Sequence, residues 1–143
     1  MKILVAVDGS PAALDAVQYA ASLLGQLVAS PSNAITLVSV HDDAGLRHAK
    51  AVVGADAVAD YLRELSERDL DAARKLLDEA GIRHDMVIRS GHVAQQIVEC
   101  AKAGGFDLIV LGAKGRGAIV DVLLGSVAQR VLATAAGPVL LVK

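Results

Sequence analysis

The sequence predicts an α/β domain: one five-stranded parallel sheet in the order 3-2-1-4-5, with helices on both faces. Three observations predict it. Short apolar, β-branched runs alternate with segments of helical period from one end of the chain to the other. The strand runs are almost uniformly apolar, as strands covered on both faces must be. The chain is also rich in apolar residues, 54% against 21% charged, with a mean hydropathy of +0.49. Right-handed crossovers restrict the possible topologies, and a central first strand gives the order above.

The elements follow in sequence. Ile3–Val7 is the first strand, ended by Asp8-Gly9-Ser10. Ser10 is a good N-cap and Pro11 suits the first helical position. The helix they open carries Leu14, Val17, Ala20, Ala21 and Leu24 on one face, and Ser30-Pro31-Ser32-Asn33 turns the chain. Ile35–Val40 is the second strand. Residues 41–54 show no clean period and read as an irregular segment. A long helix follows, apolar along Val58, Leu62, Leu65, Ala73, Leu76, Leu77 and Ala80 and charged on its other face, with Gly81 as its C′ residue. Ile82–Arg89 is the third strand; its Arg83, His84, Asp85 and Arg89 predict a wet face and an edge position. A helix through Val93, Ile97, Val98 and Ala101 ends at Gly104-Gly105. Leu108–Leu111, uniformly apolar, is an inner strand. The last helix begins near Ser126, Gly137-Pro138 stops it, and Val139–Val142 is the fifth strand.

At 143 residues the chain is one domain, residues 1–143, with room for one core. Its aromatics are Tyr19, Tyr61 and Phe106, so the core is aliphatic. So few rings, with a net charge of −2, give neither the stacking platforms nor the basic patch of a nucleic-acid binder. No segment has transmembrane length, no basic amphipathic stretch suits a membrane surface, and the first apolar run ends at Asp8, too short for a signal sequence. Cys100 is the sole cysteine. These features predict a cytoplasmic protein, with Cys100 a buried structural thiol.

In an open parallel sheet, ligands bind at the carboxyl ends of the strands, where the strand order reverses. Two segments fall there: Asp8-Gly9-Ser10 after the first strand, and Gly112-Ala113-Lys114-Gly115-Arg116-Gly117 after the fourth. Glycines 112, 115 and 117 let the backbone take positive φ and come close to a ligand, and their N–H groups can form a concave anion site. Lys114 and Arg116 add positive charge. Gly125-Ser126 opens the last helix, whose N-terminal N–H groups and dipole favour an anion too, and Ser126 can cap the helix or donate to a phosphate. Two anion-binding devices on one edge point to a polyphosphate. A dinucleotide fingerprint, a P-loop and a nucleophile elbow are absent.

Gly112-x2-Gly115-x9-Gly125-Ser126 matches the G-2x-G-9x-G-[ST] pattern of the universal stress protein family. The start, Ile3 to Ser10, and the ending, Gly137 to Val142, resemble that family as well, so the likeness runs the length of the chain. The resemblance implies the branch that binds ATP or AMP, and a homodimer. Its phosphate-binding positions carry over to Gly112, Gly115, Gly125 and Ser126. Its acidic residue near ribose and phosphates carries over to Asp8, and its adenine contact, through backbone groups, to Val40. Ala6, Ser10 and Val127 complete the expected lining; phosphate roles for Lys114 and Arg116 come from their charge alone. Mg²⁺ would arrive with the nucleotide. Val139–Val142, an apolar edge strand, would be covered by pairing with a second copy.

The implied function is an ATP- or AMP-binding stress-response regulatory module. Two alternatives stand beside it: a slow Mg²⁺-dependent ATPase or phosphotransferase, for which no convincing base is visible, and a dimeric interaction module without nucleotide. A phosphoacceptor receiver is rejected, since the first strand supplies only Asp8 and the third ends in Arg89-Ser90. An FMN domain would want aromatics around the flavin. His41-Asp42-Asp43 reads as a solvated loop rather than a metal site.

Overall fold

The computed structural model describes residues 1–42, 44–115 and 123–143. Its strands are β1 (Lys2–Ala6), β2 (Ala34–His41), β3 (His84–Ser90), β4 (Leu108–Gly112) and β5 (Val139–Val142). All neighbours pair in parallel, in the order β3-β2-β1-β4-β5. This is the predicted α/β sheet, with β3 at one edge and β5 at the other.

The helices divide between its faces: α1 (Pro11–Gln26) and α3 (Ala55–Glu79) on one side, α4 (Val93–Ala103) and α5 (Ser126–Thr134) on the other. The two-residue repeat of a strand explains the partition. Ile3 and Val5 of β1 pack with Val17 and Ala20 of α1 and Leu77 of α3. Leu4, between them, packs with Ile97 of α4 and Val131 of α5. Alternation continues along β2 and β4: Leu37 and Val110 lie on the first side, Val38, Ile109 and Leu111 on the second. Each face therefore holds its own layer, aliphatic throughout on the first side and joined at its margin by Phe106 on the second.

Local chemistry fixes the helix ends. Ser10 caps α1, its Oγ accepting from Ala13 N–H at 3.2 Å, and Pro11 takes the first position. At α3, Gly81 takes a left-handed φ of 67° just past the helix, as a C′ glycine does. One segment departs from the sequence reading. Residues 44–53, expected to be irregular, form a 3-10 turn (Ala44–Leu46) and a short helix, α2 (Arg47–Val53). None of α2's residues is buried, so no apolar period could have announced it. Ser66, within the apolar stripe of α3, is fully buried, its Oγ accepting a 3.1 Å hydrogen bond from the buried Ser39 Oγ of β2.

Cys100 is buried on α4, and its burial pushes the thiol above the usual range despite the opposing charge of Arg89. Among the described residues, no helix is long and apolar enough to cross a membrane.

Candidate functional site

The carboxyl ends of β1, β2 and β4 open onto a cavity of about 330 Å³. Its floor is apolar, made of Ala6 and Val7 from β1 and beyond, Val38 and Val40 from β2, and Leu111 from β4. Val93 and Ile97 of α4 close one wall. Gly112, Lys114, Gly115, Ser126, Val127 and Ala128 form the opposite, polar end, with Asp8, Ser10 and Ala13 between. Sequence reasoning named Ala6, Asp8, Ser10, Val40, Gly112, Lys114, Gly115, Ser126 and Val127, and the fold brings all of them to this one cavity.

Two predicted residues stand apart. Gly125 is not in the lining but directly behind it, with the backbone of Lys114 and Gly115 about 3.5 Å from where its Cβ would be. Arg116, like Gly117 and Asp43, lies outside the described residues. The lining residues that the sequence reading missed are chiefly apolar: Val7, Ala13, Val38, Val93, Ile97, Leu111 and Ala128. The signal was present in part, since Val38 and Val40 are two apart on one strand and so share a face.

The peptide groups of Val40 are placed to meet a ligand. Val38 C=O accepts from Val7 N–H at 2.9 Å, so the backbone groups of Val38 face β1. Two residues on, those of Val40 face the same side, past Ala6, the last residue of β1 in the paired register. A nucleobase lying in the cleft would meet there the donor and acceptor that a strand would otherwise take.

At the polar end, the sequence expectation needs three corrections. Gly112 and Gly115 do not take positive φ; the left-handed glycine of the site is Gly9, at 79°. It lets the chain reverse after β1, so that Ser10 N–H donates to Asp8 Oδ1 at 2.9 Å. Gly112 answers instead to the close approach of a neighbouring backbone, and Gly115 to the tip of a neighbouring side chain. A Cβ on Gly112 would sit 2.9 Å from Ala12 Cβ and 3.0 Å from that residue's backbone C and O atoms; one on Gly115 would be 3.0 Å from Asp8 Oδ2. The second correction concerns Gly125, whose N–H is already given to Ala113 C=O at 2.7 Å. The third concerns Ser126, which is the first helical residue, with Gly125 as the N-cap and no side-chain cap bond.

The anion-binding capacity of this end therefore moves one residue along. The first intrahelical bond of α5 runs from Gln129 N–H to Gly125 C=O. The N–H groups of Ser126, Val127 and Ala128 precede it and have no intrahelical acceptor. All three residues line the cavity. Lys114 adds a cation to the same lining and Asp8 an anion. Among the described residues, no group of three or more His, Cys, Asp or Glu side chains is placed to hold a metal ion.

A model of the universal stress protein family matches residues 1–143. Universal stress protein MJ0531 of Methanocaldococcus jannaschii is 34% identical over 142 residues, which are 99% of this chain and 81% of that protein. Among solved structures, the hypothetical protein MJ0577 superposes with a TM-score of 0.85 at 25% identity, over 99% of this chain and 94% of the other. A universal stress protein solved in complex with cAMP superposes with a TM-score of 0.72 at 24% identity, over 100% of this chain and 97% of the other.

Proposed function

The chain belongs to the universal stress protein family, and from that premise we propose that it is an adenine-nucleotide-binding regulatory module that takes ATP, or its shorter forms ADP and AMP, in the cavity above β1, β2 and β4. The observation that carries the reading is the polarity of that cavity along its length. One end is aliphatic with a backbone edge at Val40, which suits a base. The other joins the N-terminal N–H groups of α5 to Lys114, which suits phosphates. The residues fit such a ligand on steric grounds as well. Gly115 leaves room beside the Asp8 carboxylate where any side chain would intrude.

In this reading Val40 reads the base through its peptide groups. Asp8 and Ser10 hold the ribose side, and Gly112, Lys114, Gly115, Ser126 and Val127 hold the phosphates, with Gly125 shaping the cradle from behind. Asp8 is the carboxylate that could ligate a Mg²⁺ carried in by the phosphates. A relative of the same fold was solved with cAMP, an adenine nucleotide, which supports the ligand class. The open edge of β5 supports homodimerisation, with Val139–Val142 pairing to a second copy. Occupancy of the cavity is then the signal, and the dimer surface is where it is read.

The test is to denature the purified protein and identify released small molecules by chromatography with mass detection, and to titrate emptied protein with Mg-ATP. About one adenine nucleotide per chain, or saturable binding at that stoichiometry, is the expected result. No nucleotide and no binding would leave the cavity structural and the protein a dimeric interaction module.

A further inference from the structure

We propose that the nucleotide site continues into a second compartment, and that the preferred ligand carries a second nucleoside joined to the first through its phosphates: a dinucleoside polyphosphate. This rests on the nucleotide reading of the first cavity. The observation is a groove of about 730 Å³ between α4 and α5. It meets the first cavity along a common border, since Val93, Ser126 and Val127 line both. Sites for small molecules commonly span about 300–1,000 Å³. The first cavity, at about 330 Å³, is at the bottom of that range, and the groove is well inside it.

The border falls where phosphates would lie. Ser126 and Val127 supply the N-terminal N–H groups of α5, and they face both spaces. Arg130 stands four residues beyond Ser126, hence on the same face one turn up, about 6 Å along the helix axis. A phosphate chain that starts over Ser126 and runs along α5 meets the Arg130 guanidinium next, whose planar fork matches phosphate oxygens. Beyond it the groove has an apolar floor, Ala94 and Val98 of α4, both packed against the core, and a polar rim of Asp42, Gln95 and Glu99, the Gln95 amide donating to Glu99 at 3.0 Å. A flat base can lie on that floor with its edge toward the rim. A mononucleotide fills the first cavity and leaves the second to solvent; two nucleosides bridged by phosphates fill both.

The experiment is calorimetric titration of the full chain with ATP and with diadenosine tetraphosphate. The expected result is one dinucleotide per chain, bound about tenfold or more tightly than ATP. Gln95→Trp, which fills the groove, should abolish that advantage while ATP affinity stays within about twofold, and Arg130→Glu should separately abolish the advantage. Equal or weaker binding of diadenosine tetraphosphate, or an advantage that survives both substitutions, overturns the proposal. So does one dinucleotide per two chains, because the second nucleoside then occupies the first cavity of another copy. If ATP binds and the dinucleotide gains nothing, only this proposal fails; if neither binds, the nucleotide reading fails with it.

Discussion

Gly112→Ala tests how the floor of the cavity is pinned to the start of α1. The added Cβ would sit 2.9 Å from Ala12 Cβ and 3.0 Å from Ala12 C and O. Two of these three neighbours are backbone, so no rotamer change relieves the contact; the first turn of α1 must lift from the end of β4. Overpacking of this kind costs about 1–3 kcal/mol. At this chain length each kcal/mol moves the thermal midpoint by roughly 3–5 °C. Urea unfolding followed by circular dichroism should show the loss as a lower midpoint with an unchanged slope. Gly125→Ala is the control, because its Cβ would meet neighbours at 3.4–3.5 Å and its φ of −69° suits any residue; it should lose less than about 1 kcal/mol, the scale of a weakened N-cap. Placing Gly112→Ala in an Ala12→Gly background removes only the side-chain contact, so rescue should be partial. The reasoning is refuted if Gly112→Ala is neutral, or if Ala12→Gly restores stability in full.

Other predictions concern the cavity and the two layers beneath it. Gly125→Val should reduce ATP affinity about tenfold or more, roughly 1.4 kcal/mol, in titrations on protein whose fold is verified by circular dichroism; unchanged affinity refutes its role in shaping the cradle. Lys114→Ala should weaken binding less, and more at low salt than at high, because a point charge at the cavity lining is screened by salt; a loss independent of salt counts against that role. Ser66→Ala leaves the buried Ser39 hydroxyl without its partner and should cost about 1–3 kcal/mol, much of it recovered in the Ser39→Ala, Ser66→Ala double variant. For Cys100 the folded thiol pKa is raised by burial, so its contribution to stability is present below the ordinary thiol range, near 9.0, and is lost as pH rises through the folded value. Unfolding titrations should show stability falling on the alkaline side of that range, and Cys100→Ala should remove that part of the slope.

The sheet order was legible because four of the strands are apolar runs bounded by a turn or cap, and because charges on β3 marked it as an edge. The lining of the cavity was legible for a different reason: glycines and caps must stand where strands end. What those glycines do was harder to read. A glycine permits positive φ but does not demand it, and only the packed structure shows that Gly112 and Gly115 answer to Ala12 and Asp8 instead. The N-terminal N–H groups of the last helix were expected to face an anion, and only the structure shows that the series starts at Ser126, because Ala113 C=O takes the N–H of Gly125. Helix α2 escaped because it buries nothing. The groove between α4 and α5 escaped because its walls come from helix faces whose juxtaposition no local spacing encodes. Ser66 reads as a break in an apolar stripe until its partner, 27 residues earlier, is seen.

The position of β1 has a kinetic side. It is first in the chain and central in the sheet, so its two edges are filled at different times. β2 follows after a single helix, whereas β4 comes so late that Lys2 bonds to Asp107 across 105 positions. Strands β1 to β3 can pair among themselves while the other edge of β1 waits, and that late closure is the slow kind of contact to make. The cavity straddles this seam: Asp8, Ser10 and Val40 come from the early half, Gly112, Lys114 and Ser126 from the late one. A molecule seated there fastens the last join to form, so it should slow unfolding far more than it speeds refolding.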